Sequence, residues 1–181
     1  MLWLRPYKPC DADAIVSWIR NETVFRWWGG HRFGEYPIDA RSVNDKYLAH
    51  NGDCAEPDNF YPFTAFDGAG PVGHFILRYL DGDRHTVRVG WVLLDSARRG
   101  QGLGREMLSL ALRCAFDFLG AERVTLGVFA DNLRAQRCYA AVGFRDDPLC
   151  PERTMEAYGK TWTLKEMAIT RAEYEAQNRR T

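Results

Sequence analysis

The feature that most constrains this chain is a strand, a Gly-rich turn and a helix in direct succession. The apolar run Val89 to Leu94 leads into Arg99-Gly100-Gln101-Gly102-Leu103-Gly104, and an amphipathic helix follows at once. That order builds an anion site from backbone. Glycine lets the chain approach a ligand closely, and the first N–H groups of a helix have no internal partners. A pyrophosphate accepts from such groups, and the helix dipole favours its charge. Arg98 and Arg99 at the mouth add charge-assisted contacts.

Two better-known glycine loops are excluded. A mononucleotide loop needs four residues between its glycines and then Lys and Ser or Thr, but Arg105 and Glu106 follow Gly104 here. The dinucleotide fingerprint G-x-G-x-x-G fails because the spacing is G-x-G-x-G. A second motif lies downstream, after the strand-like run Val124 to Phe129. It reads NLRAQRCYAAVGF, from Asn132 to Phe144. Asp131 or Asn132 suits the N-cap of a helix, Ala135, Tyr139 and Val142 recur at helical spacing, and Gly143 supplies a left-handed terminus.

Together these motifs carry a family resemblance. Arg99, Gly102 and Gly104 resemble the Arg/Gln-x-x-Gly-x-Gly pyrophosphate loop of the GNAT superfamily of acyl-CoA-dependent N-acyltransferases. Asn132, Ala135, Tyr139, Gly143 and Phe144 are similar to the second signature of that family, in which Asn and Tyr meet the acyl thioester. The resemblance covers residues 60–169 well and the N-terminal third more loosely. It implies an α/β (α+β) fold: a mixed, mostly antiparallel twisted sheet flanked by helices, with a splayed central cleft. It further implies acetyl-CoA as co-substrate and an amine acceptor, with a homodimer left open.

Composition agrees. Of 181 residues, Lys plus Arg and Asp plus Glu number 24 each, so no global field recruits nucleic acid or a membrane. No apolar run reaches spanning length, and Arg5, Pro6 and Lys8 stand where a signal core would sit. Cys10, Cys54, Cys114, Cys138 and Cys150 are odd in number and scattered, which reads as reduced thiols in a cytoplasmic protein. His31, His50, His74 and His85 share no ligand spacing, so no metal site is expected.

The periodicity predicts one domain over residues 1–169 and a charged tail from Thr170, helical or disordered. Strands are expected at Trp3 to Tyr7, Pro62 to Asp67, Val72 to Leu80, His85 to Leu94, Val124 to Phe129, Phe144 to Asp147 and Thr161 to Ile169. Asp11 is expected to cap a helix through Ile19, and further helices follow from Ile38, Gly102 and Leu133. Thr23 to Pro37 and Asn51 to Asn59 read as loops, and Asp81-Gly82-Asp83 as a hairpin turn. In the long helix, Leu103, Met107, Leu110, Ala111, Cys114 and Phe118 form a core stripe.

Acyl transfer to an amine needs a neutral nucleophile, a polarised carbonyl, fixed geometry and a proton for the departing thiolate. The resemblance implies that the backbone of Val92, Leu93 and Leu94 pairs with pantetheine and polarises the carbonyl. It places the pyrophosphate on Arg99, Gly100, Gln101, Gly102, Leu103 and Gly104. Asn132 is then a cofactor contact, and Tyr139 both a cofactor contact and the acid that protonates sulfur. Family members often carry Glu eleven positions before the loop; Arg88 stands there and cannot accept a proton. Arg88 is a substrate-side residue or a solvated strand position.

The N-terminal segment is similar to family members that acetylate aminoglycosides or protein N-termini. Trp27 and Trp28, with Phe25, line an acceptor pocket or plug the core edge. Asp39, Asp45, Asp53, Glu56 and Asp58 attract a cationic amine or merely solvate a surface. The expected function is N-acetylation of a primary amine on a small molecule or peptide N-terminus. A non-catalytic acyl-CoA sensor is the alternative.

Overall fold

Residues Gly70 to Leu80 form a strand whose alternate side chains serve two cores. Phe75 and Leu77 join one cluster, with Met107, Leu108 and Ala111. Ile76 joins a second, with Ile15, Trp18, Phe25, Val43 and Tyr47. A period of two delivers this division whenever both faces of a sheet are covered. The computed structural model describes residues 1–51, 59–80, 83–150, 152–157 and 159–179. In chain order its elements are β1 (Trp3–Pro6), α1 (Ala12–Trp18), α2 (Glu22–Trp28), α3 (Ala40–Asn51), β2 (Tyr61–Asp67), β3 (Gly70–Leu80) and β4 (Asp83–Leu94). Then come α4 (Leu103–Arg113), β5 (Arg123–Phe129), α5 (Leu133–Ala141), β6 (Arg145–Asp146), β7 (Arg153–Ala157), β8 (Lys160–Thr170) and α6 (Arg171–Asn178).

The sheet runs β1-β2-β3-β4-β5-β8-β6, with β7 paired to β8. Every pairing is antiparallel except β4 with β5. The mixed, mostly antiparallel sheet expected above is therefore what forms. The expected loop over Asn51 to Asn59 and turn at Asp81-Gly82 fall largely outside the described residues.

Three local expectations are corrected. Thr23 to Pro37 is not all loop, because α2 begins inside it: the Asn21 side chain accepts from the Val24 amide, and Gly29 ends the helix at φ 89°. Asp11 does not cap α1; its carboxylate accepts from Arg5, the Lys8 amide and Thr64 instead. Phe118 leaves the core stripe and is exposed, while Phe116 is buried. The cause is a π turn over Cys114–Phe118, closed by Leu119 N–H donating to the Cys114 carbonyl at 3.0 Å. Widening the helix by one residue rotates the face that meets the sheet. The tail from Thr170, expected as helical or disordered, takes the helical alternative over Arg171–Asn178, with a Thr170–Glu173 capping box and Tyr174 stacked on Phe116.

His74 predicts a pH dependence of stability. It is fully buried, the Tyr47 hydroxyl lies 2.5 Å from its Nε2, and burial lowers its pKa to about 3. The folded protein thus holds a neutral imidazole where the unfolded chain takes up a proton near pH 6.5. Stability is complete above that pH and falls as pH drops toward the folded pKa, because the unfolded state binds more protons. Urea unfolding should show roughly 3 kcal/mol lost to this group between pH 6.5 and 4. His31 and His50 are also held below their ordinary value and add in the same direction. A His74→Gln variant that retains the whole slope over this window would assign it elsewhere.

Candidate active site

Strands β4 and β5 pair at only three positions, Thr86–Arg123, Val87–Val124 and Arg88–Thr125. Beyond Arg88 the two strands part, so the β5-facing edge of β4 has no β5 partner from Val89 onward. The opposite edge of β4 is distorted as well. Its register against β3 slips between His74 and Ile76, leaving Trp91 and Val92 together opposite Phe75. Such a bulge bends the strand. Trp91 sits at φ 46°, an uncommon conformation for a bulky residue. Two contacts hold it there: the Trp28 indole N–H donates to the Trp91 carbonyl at 2.9 Å, and the Trp91 ring stacks on Tyr47.

The parted strands open a cleft of about 360 Å³. Val92, Leu93 and Leu94 form one wall, and Gly127, Val128 and Asn132 the other. The turn Gly100 to Gly104 closes one end. Gly100 and Gly102 adopt φ 83° and 79°, and a Cβ at either would meet nothing within 4 Å, so the backbone faces open space. Gly104 does different work, since a Cβ there would lie 3.2 Å from the Cys138 sulfur of α5. The first described amide bonds of α4 run from Arg105 and Glu106 to the Gly102 carbonyl, so the Leu103 and Gly104 amides precede the ladder. Arg99, Arg105, Arg134 and Arg137 surround this end. Burial, then Arg134 and Arg20, hold the Arg99 guanidinium below its ordinary value. Exposed backbone donors, a helix N-terminus and four guanidinium groups fit a diphosphate. Of the expected loop residues only Gln101 lies outside the cleft lining, exposed on the turn.

Asn132 is the N-cap of α5, its Oδ1 accepting from the Ala135 amide at 3.2 Å. Its carboxamide N–H groups remain for the cleft. Two turns further on, Tyr139 is buried as a residue and lines the cleft. Burial pushes its phenol pKa up, with Cys138 adding slightly. Tyr139 lines this cleft and also a second, larger cavity of about 1090 Å³ on the other side. Trp27, Trp28, Val92 and Gly127 are shared in the same way, so the two spaces meet at these residues.

Trp28 lines both spaces and is buried, stacked on Phe33 with ring centres 4.2 Å apart. Trp27 donates its indole N–H to Asp131 at 2.9 Å, and Arg26 bonds the same carboxylate at 2.6 Å, which ties α2 to the start of α5. Arg88 faces the larger cavity and is not a freely solvated strand residue. It forms a two-pronged pair with Glu166 of β8, at 2.7 and 3.0 Å, and Arg153 bonds the same carboxylate at 2.7 Å. The pair crosses β5 over Gly127, where a Cβ would lie 2.6 Å from the Arg88 Nη2.

Sequence reasoning missed Glu166, Arg153 and the strand β7 that carries Arg153. The isolated Gly127 within an apolar strand was the one available signal of a close crossing. It also missed His31, Arg32, His50 and Arg78 on the cavity wall. Burial keeps both histidines below their ordinary pKa, with Arg32 adding for His31 and Lys46, then Arg32 and Arg78, for His50. Of the acidic residues weighed as amine attractors, Asp39 accepts from the Ser42 amide and hydroxyl, and Asp45 pairs with Arg41. Asp53, Glu56 and Asp58 lie outside the described residues.

Residues 1–145 match the family model described as "Acetyltransferase (GNAT) domain". The chain belongs to the GNAT family. A mycothiol acetyltransferase of Kineococcus radiotolerans is 31% identical over 143 residues, which cover 79% of this chain and 42% of that protein. The chain spans 42% and 36% of the lengths of the two mycothiol acetyltransferases it matches. Among solved structures, a Vibrio cholerae spermidine N-acetyltransferase in complex with CoA and spermine superposes with a TM-score of 0.77 at 20% identity, covering 96% of this chain and 98% of that one. An aminoglycoside acetyltransferase in complex with coenzyme A gives 0.72 at 20% identity, covering 98% and 99%. These likenesses establish the GNAT fold.

Proposed function

We propose that this GNAT domain is an acetyl-CoA-dependent N-acetyltransferase that acetylates a primary amine of a small molecule or a peptide N-terminus. One observation carries the reading: Tyr139 lines both a phosphate-suited cleft and a separate, larger cavity. A protein that only bound an acyl-CoA would need the first space and not the junction.

When bound, acetyl-CoA supplies an acetyl group already activated as a thioester. The chain's residues position and stabilise. The open edge of β4 at Val92 to Leu94 offers amides and carbonyls for an extended ligand to pair with, as an added strand does. The Leu93 amide region polarises the acyl oxygen, and the turn at Gly100 to Gly104 with Arg99 and Arg134 holds the diphosphate. Asn132 orients the connecting arm. The acceptor nitrogen, arriving from the larger cavity, forms the new bond to the acetyl carbon as the C–S bond breaks. The electron pair goes to sulfur, the Tyr139 O–H supports it, and the amine releases its proton to solvent. Free thiols at Cys10, Cys114, Cys138 and Cys150 suit a cytoplasmic setting, and a homodimer is the assembly that light scattering should test.

Thiol release from acetyl-CoA with a panel of polyamines, aminoglycosides, amino acids and N-terminal peptides tests the activity. Release with none of them, from folded protein, would favour a sensor. Gly102→Val tests the cleft. Both Gly102 and Gly120 hold positive φ in open space, at 79° and 69°. A side chain at either is strained by about 1–2 kcal/mol, but only Gly102 lines the cleft. Gly102→Val should raise the KM for acetyl-CoA about tenfold or more, and Gly120→Val should leave it unchanged. Equal KM values in the two variants would place the phosphates elsewhere.

A further inference from the structure

Helix α2 lies across the opening that the parted strands leave. The β4–β5 ladder ends at Arg88–Thr125, so beyond it no pairing of these two strands sets the distance between the cleft walls. Two consecutive indoles of α2 reach one wall each, which a helix allows because adjacent side chains point about 100° apart. Trp28 donates its N–H to the Trp91 carbonyl of β4 at 2.9 Å. Trp27 donates to the Asp131 carboxylate, just past the end of β5, also at 2.9 Å. Arg26 bonds the other oxygen of that carboxylate at 2.6 Å, and its guanidinium lies 3.5 Å over the Trp162 ring of β8. The turn that carries Asp131 is itself fixed. The Asn132 amide donates to the Phe129 carbonyl at 2.9 Å, and the Gln136 carboxamide to the Ala130 carbonyl at 2.9 Å.

The two tethers are unequal. Trp28 is buried and stacked on Phe33, and Gly29 ends the helix directly behind it at φ 89°. The Asp131 side chain is 50% exposed, so water competes for its oxygens. Yet that weaker tether is the one that fixes Trp27, and Trp27 lines both the cleft and the larger cavity. Resting on the N-acetyltransferase reading above, we propose that α2 is a strap across the split sheet and that Asp131 is a positioning residue. Through Trp27 it sets the passage in which the acceptor nitrogen meets the acyl carbon. In this role Asp131 acts on the indole and not on the substrate. Its contribution is geometric, and a small misplacement of reacting groups costs rate steeply.

Removing the tether from either side tests this. Asp131→Ala should lower kcat about tenfold or more at saturating acetyl-CoA and amine. Asp131→Asn keeps an oxygen that accepts from the indole and should retain most of the rate. Trp27→Phe keeps a ring but no donor, and should lose about as much as Asp131→Ala. Both substitutions remove one and the same bond, so the double variant should be no slower than either single. An exposed ion pair contributes little to stability, so Asp131→Ala should leave the thermal midpoint and the CoA affinity by calorimetry near the parent's. Rates within a few-fold of the parent in both single variants would overturn the proposal. So would losses that multiply in the double variant, or that accompany a fallen thermal midpoint. A loss in only one single variant would overturn it as well, because Asp131 also flanks the N-terminus of α5 and phenylalanine is the smaller ring. No turnover with any amine would instead sink the acetyltransferase reading, and the indole protons then decide the strap. With CoA filling the cleft, Asp131→Ala should speed hydrogen exchange of the Trp27 indole, followed by NMR and assigned by Trp27→Phe, while sparing the other indoles. Exchange at Trp27 that ignores Asp131→Ala would show that the tether does not hold and overturn the strap.

Discussion

Replacing Tyr139 by phenylalanine should lower kcat by about 10²-fold or more, the scale set by a positioned acid or a transition-state donor. The ring would keep its edge contact with Phe144, at 6.2 Å between centres. The thermal midpoint should barely move, since that packing is kept. Burial pushes the phenol up, so Tyr139 stays a donor throughout the neutral and mildly alkaline range. A phenol of that kind stabilises the departing sulfur chiefly by its hydrogen bond as negative charge develops. The loss should therefore appear in kcat at saturating acetyl-CoA, with CoA affinity by calorimetry unchanged. Turnover within a few-fold of the parent would reduce Tyr139 to a packing residue and detach the chemistry from the junction.

What could be read from the sequence was whatever the backbone decides locally. The glycines at 100 and 102 are needed for positive φ, and Asn132 caps α5 three residues before the amide it accepts from. Both are recorded in short runs of residues. The seven-residue α2 carries the same kind of record in Asn21 and Gly29. Its aromatic content, Phe25, Trp27 and Trp28, drew the reading toward a pocket-lining loop. The opening of the sheet is different in kind. It depends on β4 leaving β5 after Arg88 and on a bulge held by Trp28 and Tyr47, residues 63 and 44 positions from Trp91. No periodicity in Val89 to Leu94 encodes that. The fate of Arg88 was equally hidden, because its partner Glu166 is 78 residues away and reaches it across a third strand. Phe118 shows a local rule failing through a helix irregularity: a 3.6-residue period carried past Cys114 puts the wrong phenylalanine in the core.

With this lining, the second-order rate constant should follow the acceptor's own ionisation. Among the described residues, the titratable groups that line the larger cavity are His31, His50, Tyr79, Asp83, Tyr139, Arg32, Arg78, Arg84, Arg88 and Arg153, with Glu166 behind them. Arginine accepts no proton, and both oxygens of Glu166 are already bonded by Arg88 and Arg153. The two histidines are neutral near pH 7, but burial and neighbouring cations make them weak acceptors. Taking a proton from an alkyl ammonium with pKa about 10.4 is steeply uphill for an imidazole below 6.5. No group among the described residues is suited to take that proton, so the amine is expected to arrive neutral. For such an acceptor kcat/KM should rise about tenfold per pH unit between 7 and 9, roughly 100-fold in all. An acceptor with an α-amine of pKa about 7.7–8 should level off by pH 9. Tyr139 remains protonated over this range and adds no falling limb. A rising limb centred near pH 6, identical for both acceptors and removed by His31→Gln or His50→Gln, would show that an imidazole takes the proton. Arg88→Glu cannot serve as the test, since it would set two carboxylates together and break a buried pair at a cost of about 3–5 kcal/mol. The profile itself decides, because only a base supplied by the protein fixes the limb irrespective of the acceptor.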